Sequence, residues 1–449
     1  MPAQNNLNLP KSLGDGLVLR LAWPDDVEAV AALNERVLIE EEEPPGIFAA
    51  WTRDLFSDHH PETKNIVFVV VEDTSTGQIV SSTGLIPQVW RYDGILIPVG
   101  RPEMVVTDKA YRRRGLTRAI FEAIHALSAA QGHLAQGITG IPWFYRRFGY
   151  EYALPLSGSR DLSVHHIPPL KEGETEPYQV RRAEAADAPR IAQLYEYQMV
   201  GKSVTAEINE ARWAYDLSGI SPDSAQSLHV YCIIDRADQV VGYFTLSGHF
   251  WAERCHLFEL GTMEGLALQA VLSTVLRTLK TQGEQLAAEA KPKPGQLTFL
   301  RFSLGETHPL YDLLAAKLTL GRPPYAWYVR VPDLPRLVRH LRPVLEQRLA
   351  TSPMQGYSGE LKLSFYQDGL RLAFEAGHLT EVATWSPPET DQEWDGAGFP
   401  PLVFLQLLFG HRSLAELRYA FPDCWADEEP ELLLKVLFPK QPSWVLPLG

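Results

Sequence analysis

Hydrophobic positions in the first 160 residues alternate between strand-like runs and helix-like periodicity. The apolar run Leu17–Leu21 is typical of a strand, and Asp25 and Asp26 precede a stretch with the 3.6-residue period of an N-capped helix. Residues 66–71 form a continuous run of mostly β-branched residues, which predicts a buried strand. Gly77 marks a turn after it, so we expect a β-hairpin there.

The same order of elements recurs about 160 residues later, beyond a charged connector at residues 171–177. Residues 178–182 predict a strand, Asp187 precedes a periodic helical stretch, and residues 230–234 and 240–244 predict two further strands. This order favours an internal repeat of two α/β domains. The alternative is that any two α/β domains open in this way.

A third segment begins near residues 332–342. Residues 361–374 alternate in strand fashion around an Asp368-Gly369 turn, and residues 402–409 before Gly410 predict a buried helix with a glycine C-cap. The chain therefore divides into domains at 1–160, 175–335 and 340–449, the last a small α+β unit.

The composition is that of a folded acidic protein. Of 449 residues, 45% are hydrophobic and 21% charged, and 41 Lys and Arg against 55 Asp and Glu give a net charge of −14. Such a surface repels nucleic acid and anionic membranes and favours cationic ligands such as amines. The 3 cysteines are far apart and no third ligand joins the paired histidines, so we expect no disulfide and no metal. Without a signal peptide or apolar span, a cytoplasmic location is expected.

Residues 104–118 are the most informative stretch. An apolar strand ends near Val106, and three consecutive arginines, 112–114, and Gly115 follow before helical spacing begins. A basic glycine turn that leads into a helix N-terminus is an anion cradle, because the unpaired N–H groups of the first turn point at the ligand. The alternative is a solvated basic turn.

Arg112-x-x-Gly115-x-Thr117 resembles the acetyl-coenzyme-A signature of the GNAT N-acetyltransferase superfamily, with Thr117 where a Gly or Ala is usual. Residues 143–150, Trp-Phe-Tyr-Arg-Arg-Phe-Gly-Tyr, are similar to a second GNAT segment. In size and layout the chain resembles the Eis (enhanced intracellular survival) family. That resemblance implies an α/β (α+β) fold in which an active GNAT domain, a degenerate GNAT domain and a sterol-carrier-protein-like domain follow one another.

The resemblance also implies which residues bind acetyl-CoA. The main chain of residues 105–107 would hold the pantetheine arm and the acetyl carbonyl, and that of residues 113–118 the pyrophosphate, with arginine side chains adding charge-assisted hydrogen bonds. The expected cofactor-binding residues are Val105, Val106, Thr107, Arg112, Arg113, Arg114, Gly115, Leu116, Thr117, Arg118, Gly140 and Ile141.

Acetyl transfer from a thioester to an amine needs a proton acceptor for the amine and a donor for the departing thiolate. By resemblance, Tyr145 is the general acid, and the C-terminal carboxylate, here on Gly449, is the general base. Tyr145 could instead pack in a core, and Tyr150 competes for the role. The apolar residues 444–448 favour a docked C-terminal tail, which the third domain would position.

The acidic run that contains Glu40 and Glu41 is a candidate lining for a cationic substrate, although a charge run is more commonly a solvated face. Together these features predict an N-acetyltransferase that acts on a primary amine of a cationic small molecule, an aminoglycoside or polyamine, or on lysine. The alternative is a non-catalytic acyl-CoA-binding or assembly protein. The resemblance implies a hexamer, and the sequence itself gives no symmetry.

Overall fold

The computed structural model describes residues 8–447, except residues 42, 63, 157, 292 and 388–393. The first part of the chain contributes strands β1 (Lys11–Gly14), β2 (Leu17–Leu21), β3 (Val67–Asp73), β4 (Gln78–Tyr92), β5 (Ile95–Thr107), β6 (Ala135–Ile138), β7 (Glu151–Leu156) and β8 (Ser159–Ser163). Its helices are α1 (Val27–Leu38), α2 (Ile47–Phe56) and α3 (Leu116–Ala130).

The second part contributes strands β9 (Gln179–Arg182), β10 (Val204–Ala206), β11 (Leu228–Ile234), β12 (Val240–Ser247), β13 (Arg254–Thr262), β14 (Phe299–Phe302), β15 (Leu318–Arg322) and β16 (Tyr325–Arg330). Its helices are α4 (Ala188–Met199), α5 (Glu210–Ser218), α6 (Leu268–Glu289) and α7 (Leu310–Leu313).

The third part contributes helices α8 (Leu334–His340), α9 (Arg342–Ala350), α10 (Phe404–Leu408), α11 (Leu414–Ala420) and α12 (Glu428–Leu437) and strands β17 (Gly359–Ser364), β18 (Gly369–Glu375), β19 (His378–Trp385), β20 (Ala397–Gly398) and β21 (Trp425–Ala426). The hairpin predicted at 361–374 is confirmed by β17 and β18. The helix predicted over 402–409 is confirmed in place but is shorter, and Gly410 follows it at φ +66°.

The first sheet is covered on both faces, which explains the continuous apolar run in β3. Val69 and Val71 pack toward α3, whereas Phe68 and Val70 pack against α1 and α2. A strand buried on both faces has no polar face to alternate with. The strands predicted at residues 17–21 and 66–71 and the hairpin predicted at Gly77 are confirmed.

The internal repeat is visible in matching ion pairs as well as in strand order. The Asp26 carboxylate accepts hydrogen bonds from two guanidinium nitrogens of Arg20 at 2.6 and 2.9 Å. Asp187 accepts two from Arg181 at 2.7 and 2.8 Å. Asp26 is the N-cap residue of α1, as predicted, but its carboxylate accepts from the Trp23 N–H on the preceding turn and from no N–H of α1.

The two large sheets exchange strands: β8 from the first part joins the second sheet, and β16 and β10 from the second part join the first. The first has the order β1-β2-β3-β4-β5-β6-β16-β7, with β10 paired to β4, and the second has the order β15-β8-β14-β13-β12-β11-β9. Within each sheet the central pair, β5 with β6 or β13 with β14, is parallel, and the exchanged strand lies antiparallel beside it. The domain bounds 1–160, 175–335 and 340–449 stay predictions, and residue 160 lies within the exchanged strand β8.

Candidate functional site

A strand, a turn and a helix form the predicted anion cradle. After β5 a short 3-10 turn, Lys109–Tyr111, is capped by the Asp108 carboxylate, which accepts from the Ala110 N–H at 3.0 Å. Gly115 then adopts φ +78°, a left-handed conformation that favours glycine, and immediately precedes α3. Because Gly115 has no side chain to cap the helix, the first N–H groups of α3 are available to an anion.

Four arginine side chains surround this turn, and all four are exposed: Arg112, Arg113, Arg114 and Arg118. Within the described part of the chain none of them forms an ion pair with a carboxylate. Arg114 lies over the Tyr111 ring at 5.0 Å and Arg118 over the Phe148 ring at 5.9 Å. Unpaired arginines in a chain of net charge −14 make this turn a local positive site.

The turn borders a cleft of about 650 Å³, which we call the first cleft. Predicted cofactor residues that line it are Val105, Thr107, Arg112, Arg113, Gly115, Leu116, Thr117, Arg118 and Ile141. Val106, Arg114 and Gly140 are not among its lining residues, and the Val106 side chain is buried in the core against α1 and α2.

Sequence reasoning missed the other residues that line the first cleft. These are Val37, Leu38, Tyr111, Phe144, Arg147 and Phe148. The last three belong to the 143–150 segment that carried the family resemblance, so that segment was their available signal. The end of α1 carries no such signal, since only tertiary packing brings it to the cleft.

Thr117, the departure from the usual small residue, is accommodated by other hydroxyl groups. Its hydroxyl lies 3.4 Å from that of Thr107, which lies 2.8 Å from the Ser81 hydroxyl. Ser81 in turn donates to the Val106 carbonyl at 2.7 Å. These contacts link the end of β5 to the start of α3 with polar groups.

Tyr145 lies in an aromatic cluster beside the first cleft and is 3% exposed. A Cβ placed on Gly140, which has φ +125°, would lie 3.8 Å from its hydroxyl, so the oxygen faces the main chain there. Burial, and secondarily the charge of Glu103, raises the pKa of Tyr145. The phenol is therefore protonated near neutral pH and has a proton to donate.

The competing Tyr150 is held by structural hydrogen bonds. It is fully buried, and its hydroxyl donates to the Gln136 Oε1 at 3.0 Å and lies 3.1 Å from the His125 Nε2. These contacts occupy its hydroxyl. The arrangement favours Tyr145 over Tyr150 as the proton donor.

A cluster of tyrosines fixes the segment between Gly140 and Tyr145. The Tyr328 hydroxyl, on exchanged strand β16, donates to the Ile141 carbonyl at 3.1 Å. The Trp143 N–H donates to the Tyr152 hydroxyl at 2.9 Å, and the Tyr152 and Tyr328 hydroxyls are 2.5 Å apart. A residue from the second repeat thus holds the main chain of the site in the first.

Glu103 is an acidic group that sequence reasoning missed. It lies on β5 and forms an ion pair with Arg101, which is 3% exposed and lies 5.6 Å over the Trp327 ring. Its charge acts on the Tyr145 phenol. Glu103 therefore contributes negative potential at the inner end of the site.

Glu40 and Glu41 follow the end of α1 and do not line the first cleft. The Glu40 N–H donates to the Glu43 carboxylate at 3.0 Å, and Glu41 is exposed. Because Val37 and Leu38 line the cleft, the two acids lie a few residues from its edge.

Gly449, the predicted general base, lies outside the described residues. The tail before it is docked as predicted, since Trp444 is 6% exposed and Val445 is 2% exposed. In the described part of the chain no cluster of His, Cys, Asp and Glu is arranged to hold a metal ion. A search of the same residues finds no helix able to cross a membrane.

Residues 18–153 match the profile of a family described as an acetyltransferase (GNAT) domain. A GCN5-related N-acetyltransferase from Kribbella flavida aligns over 97% of this chain and 99% of its own at 18% identity, with a TM-score of 0.62. Another, from Anabaena variabilis, aligns over 96% and 99% at 15% identity, TM-score 0.65. Eis1 from Mycobacterium abscessus aligns over 95% and 98% at 14% identity, TM-score 0.56. A search of curated proteins finds no match. At these identities the structural likeness shows a shared fold over the whole chain.

Proposed function

We propose that this chain, whose residues 18–153 match an acetyltransferase (GNAT) domain and whose fold is shared with Eis1, is an acetyl-CoA-dependent acyltransferase. From this premise we propose that it transfers the acetyl group to a primary amine of a cationic small molecule or of lysine. The observation that carries the proposal is the first cleft, which is lined by unpaired arginines and the uncapped start of α3 and lies beside the aromatic cluster that contains the buried Tyr145. The residues there fit the phosphates and the thioester end of acetyl-CoA.

The cofactor side of the site divides by chemistry. The N–H groups at the start of α3 and the arginines of the turn would hold the pyrophosphate. The main chain of residues 105–107, with Gly140 and Ile141, would hold the pantetheine arm and the acetyl carbonyl. Acetyl-CoA supplies the activated acetyl group, and the protein contributes position and charge.

Two groups would move protons. Tyr145, kept protonated by burial, would donate to the departing sulfur. The carboxylate of Gly449 would accept the proton of the attacking amine, with Glu103 as a second candidate because its charge already acts on Tyr145. Glu103→Gln and a one-residue C-terminal extension distinguish these two candidates. The change that lowers kcat identifies the group that accepts the proton of the amine.

The amine substrate that receives the acetyl group is proposed to be cationic because the protein carries a net charge of −14. Glu40 and Glu41, near the edge of the first cleft, would attract it. Replacing both by Gln is expected to raise KM for amine substrates and to leave KM for acetyl-CoA unchanged. Unchanged kinetics would remove both residues from the substrate site.

The test of the function is release of free thiol from acetyl-CoA against a panel of aminoglycosides, polyamines and lysine peptides. Amine-dependent release supports the transferase. Coenzyme A binding without release from any member would favour the alternative, a non-catalytic acyl-CoA-binding or assembly protein that keeps the fold. We also propose a cytoplasmic hexamer whose sterol-carrier-like third domain positions the C-terminus, and sedimentation of the full chain tests the assembly.

A further inference from the structure

The second repeat has its own cleft at the place that corresponds to the first. In the first repeat the cleft lies between the end of β5, the start of α3 and the segment after β6. In the second it lies between the end of β13, the start of α6 at Leu268 and the segment after β14, residues 304–309. Because β13 and β14 occupy the positions of β5 and β6 in the strand order, this second cleft, of about 320 Å³, is the counterpart of the first.

The second cleft lacks the features that suit an anionic cofactor. The turn at residues 263–267 contains Glu264 and no lysine or arginine. Of the described lining residues only Lys202 carries a fixed positive charge, and its ammonium group donates to the Gln198 carbonyl. A phosphate would find no unpaired guanidinium there.

The protein's own C-terminal tail, residues 440–447, forms part of the wall of the second cleft instead. Trp444 lines the cleft, and its indole N–H donates to the Glu259 Oε1 at 2.7 Å. Glu259 is 2% exposed and also accepts from the Tyr243 hydroxyl at 3.2 Å. Gly305, at φ +85°, makes room for the ring, since a Cβ there would lie 2.8 Å from it.

Main-chain hydrogen bonds hold the tail on both sides of this ring. The Ser203 N–H donates to the Pro442 carbonyl and the Trp444 N–H to the Val204 carbonyl, each at 2.8 Å. The Trp327 indole N–H donates to the Val445 carbonyl at 3.2 Å. Trp327 lies on β16 and Val204 on β10, and both strands belong to the first sheet. The tail is therefore fixed between the two repeats.

The described tail ends beside the strand that carries Glu103. Leu446 and Pro447 line a cavity of about 240 Å³ together with Arg101, the ion-pair partner of Glu103 on β5. The described tail thus runs from the second cleft, which Trp444 lines, to the cavity that contains Arg101.

We infer that the second cleft is a receptor for the C-terminal tail, and that Trp444 and Glu259 are positioning residues for the terminal carboxylate. The cleft that binds cofactor in one repeat binds the chain itself in the other. The inference rests on the proposed function for its catalytic consequence, and the docking itself is independent of that function.

Two measurements on the full chain test it, with Glu259→Leu, Trp444→Phe and Gly305→Ala as variants. The first is hydrogen–deuterium exchange of the peptide that covers residues 440–447. Each variant should speed exchange of this peptide at least about tenfold and leave peptides of the first cleft unchanged. Gly305→Ala alters neither the indole nor the carboxylate, and Trp425→Phe, in the third domain, is the control for loss of a partly buried tryptophan.

The second measurement is the split between kcat and KM with the best amine substrate. Because a small misplacement of a reacting group can cost about a hundredfold, kcat should fall at least about tenfold while KM for acetyl-CoA stays the same. Unchanged exchange in all three variants would overturn the docking. Faster exchange with unchanged kcat would overturn the positioning role. Absence of turnover by the wild-type protein would contradict the proposed function, and exchange would still decide the docking.

Discussion

Replacing Gly115 by alanine strains the turn before α3 without filling occupied space. Gly115 has φ +78°, and a Cβ there would meet no atom within 4 Å. An L-residue in this conformation costs about 1–2 kcal/mol. If the free turn relaxes and binding of acetyl-CoA must restore it, that cost becomes a roughly 5- to 30-fold rise in KM for acetyl-CoA, with kcat changed little.

Gly132 supplies a matched control just beyond the other end of α3. It has φ +80° and no atom within 4 Å of its Cβ position, so the same substitution costs the same strain. Thermal unfolding of both variants measures how much of this strain the free protein retains, and only Gly115→Ala should raise KM for acetyl-CoA. Equal changes in KM for the two variants would refute the assignment of the turn at Gly115 to the cofactor.

Three further predictions concern separate parts of the structure. Arg113→Ala should raise KM for acetyl-CoA roughly tenfold through loss of a charge-assisted hydrogen bond. The control Arg236→Ala, at an exposed turn that does not line the first cleft, should leave this KM unchanged. Equal effects of the two variants would contradict the assignment of the arginine turn to cofactor binding. Burial raises the pKa of Glu259 to about 7 from 4.5, so the contribution of this carboxyl to stability is complete below about pH 4.5 and is lost as the pH rises through 7. The free energy of unfolding of Glu259→Gln should therefore change less with pH in that window than that of the wild type. An unchanged slope would argue against a buried neutral carboxyl. Tyr328→Phe removes the donor to the Ile141 carbonyl and should lower kcat several-fold without a change in secondary structure by circular dichroism; unaltered kcat would mean that the loop needs no such support.

Sequence patterns predicted the local elements well because their causes are local. The apolar run of β3 and the Gly77 turn depend on neighbouring residues only, and the structure has both. The repeat was predicted from element order, and the structure adds the Arg20–Asp26 and Arg181–Asp187 pairs as a second sign of it. The arginine–glycine turn was found because strand, turn and helix are contiguous in the chain.

Contacts between distant segments could not be predicted from these patterns. Strand β16 enters the first sheet between β6 and β7, although it lies more than 160 residues later in the chain than either strand. The periodicity of a segment predicts a strand but does not predict which sheet that strand joins. For the same reason Tyr328 and Glu103 were not assigned to the site. Val106 was predicted from its place in the motif, but its side chain lies in the core, because successive residues of a strand face opposite sides of the sheet. Its neighbours Val105 and Thr107 line the first cleft.

The central claim is that acetyl transfer to an amine occurs in the first cleft with Tyr145 as proton donor. The most direct measurement is kcat for amine-dependent thiol release by wild-type protein, Tyr145→Phe and Tyr150→Phe. The account predicts turnover by the wild type, a loss of about a hundredfold or more in Tyr145→Phe, and a much smaller effect in Tyr150→Phe, whose hydroxyl bonds Gln136. Equal turnover by Tyr145→Phe and the wild type, or a loss confined to Tyr150→Phe, would contradict it.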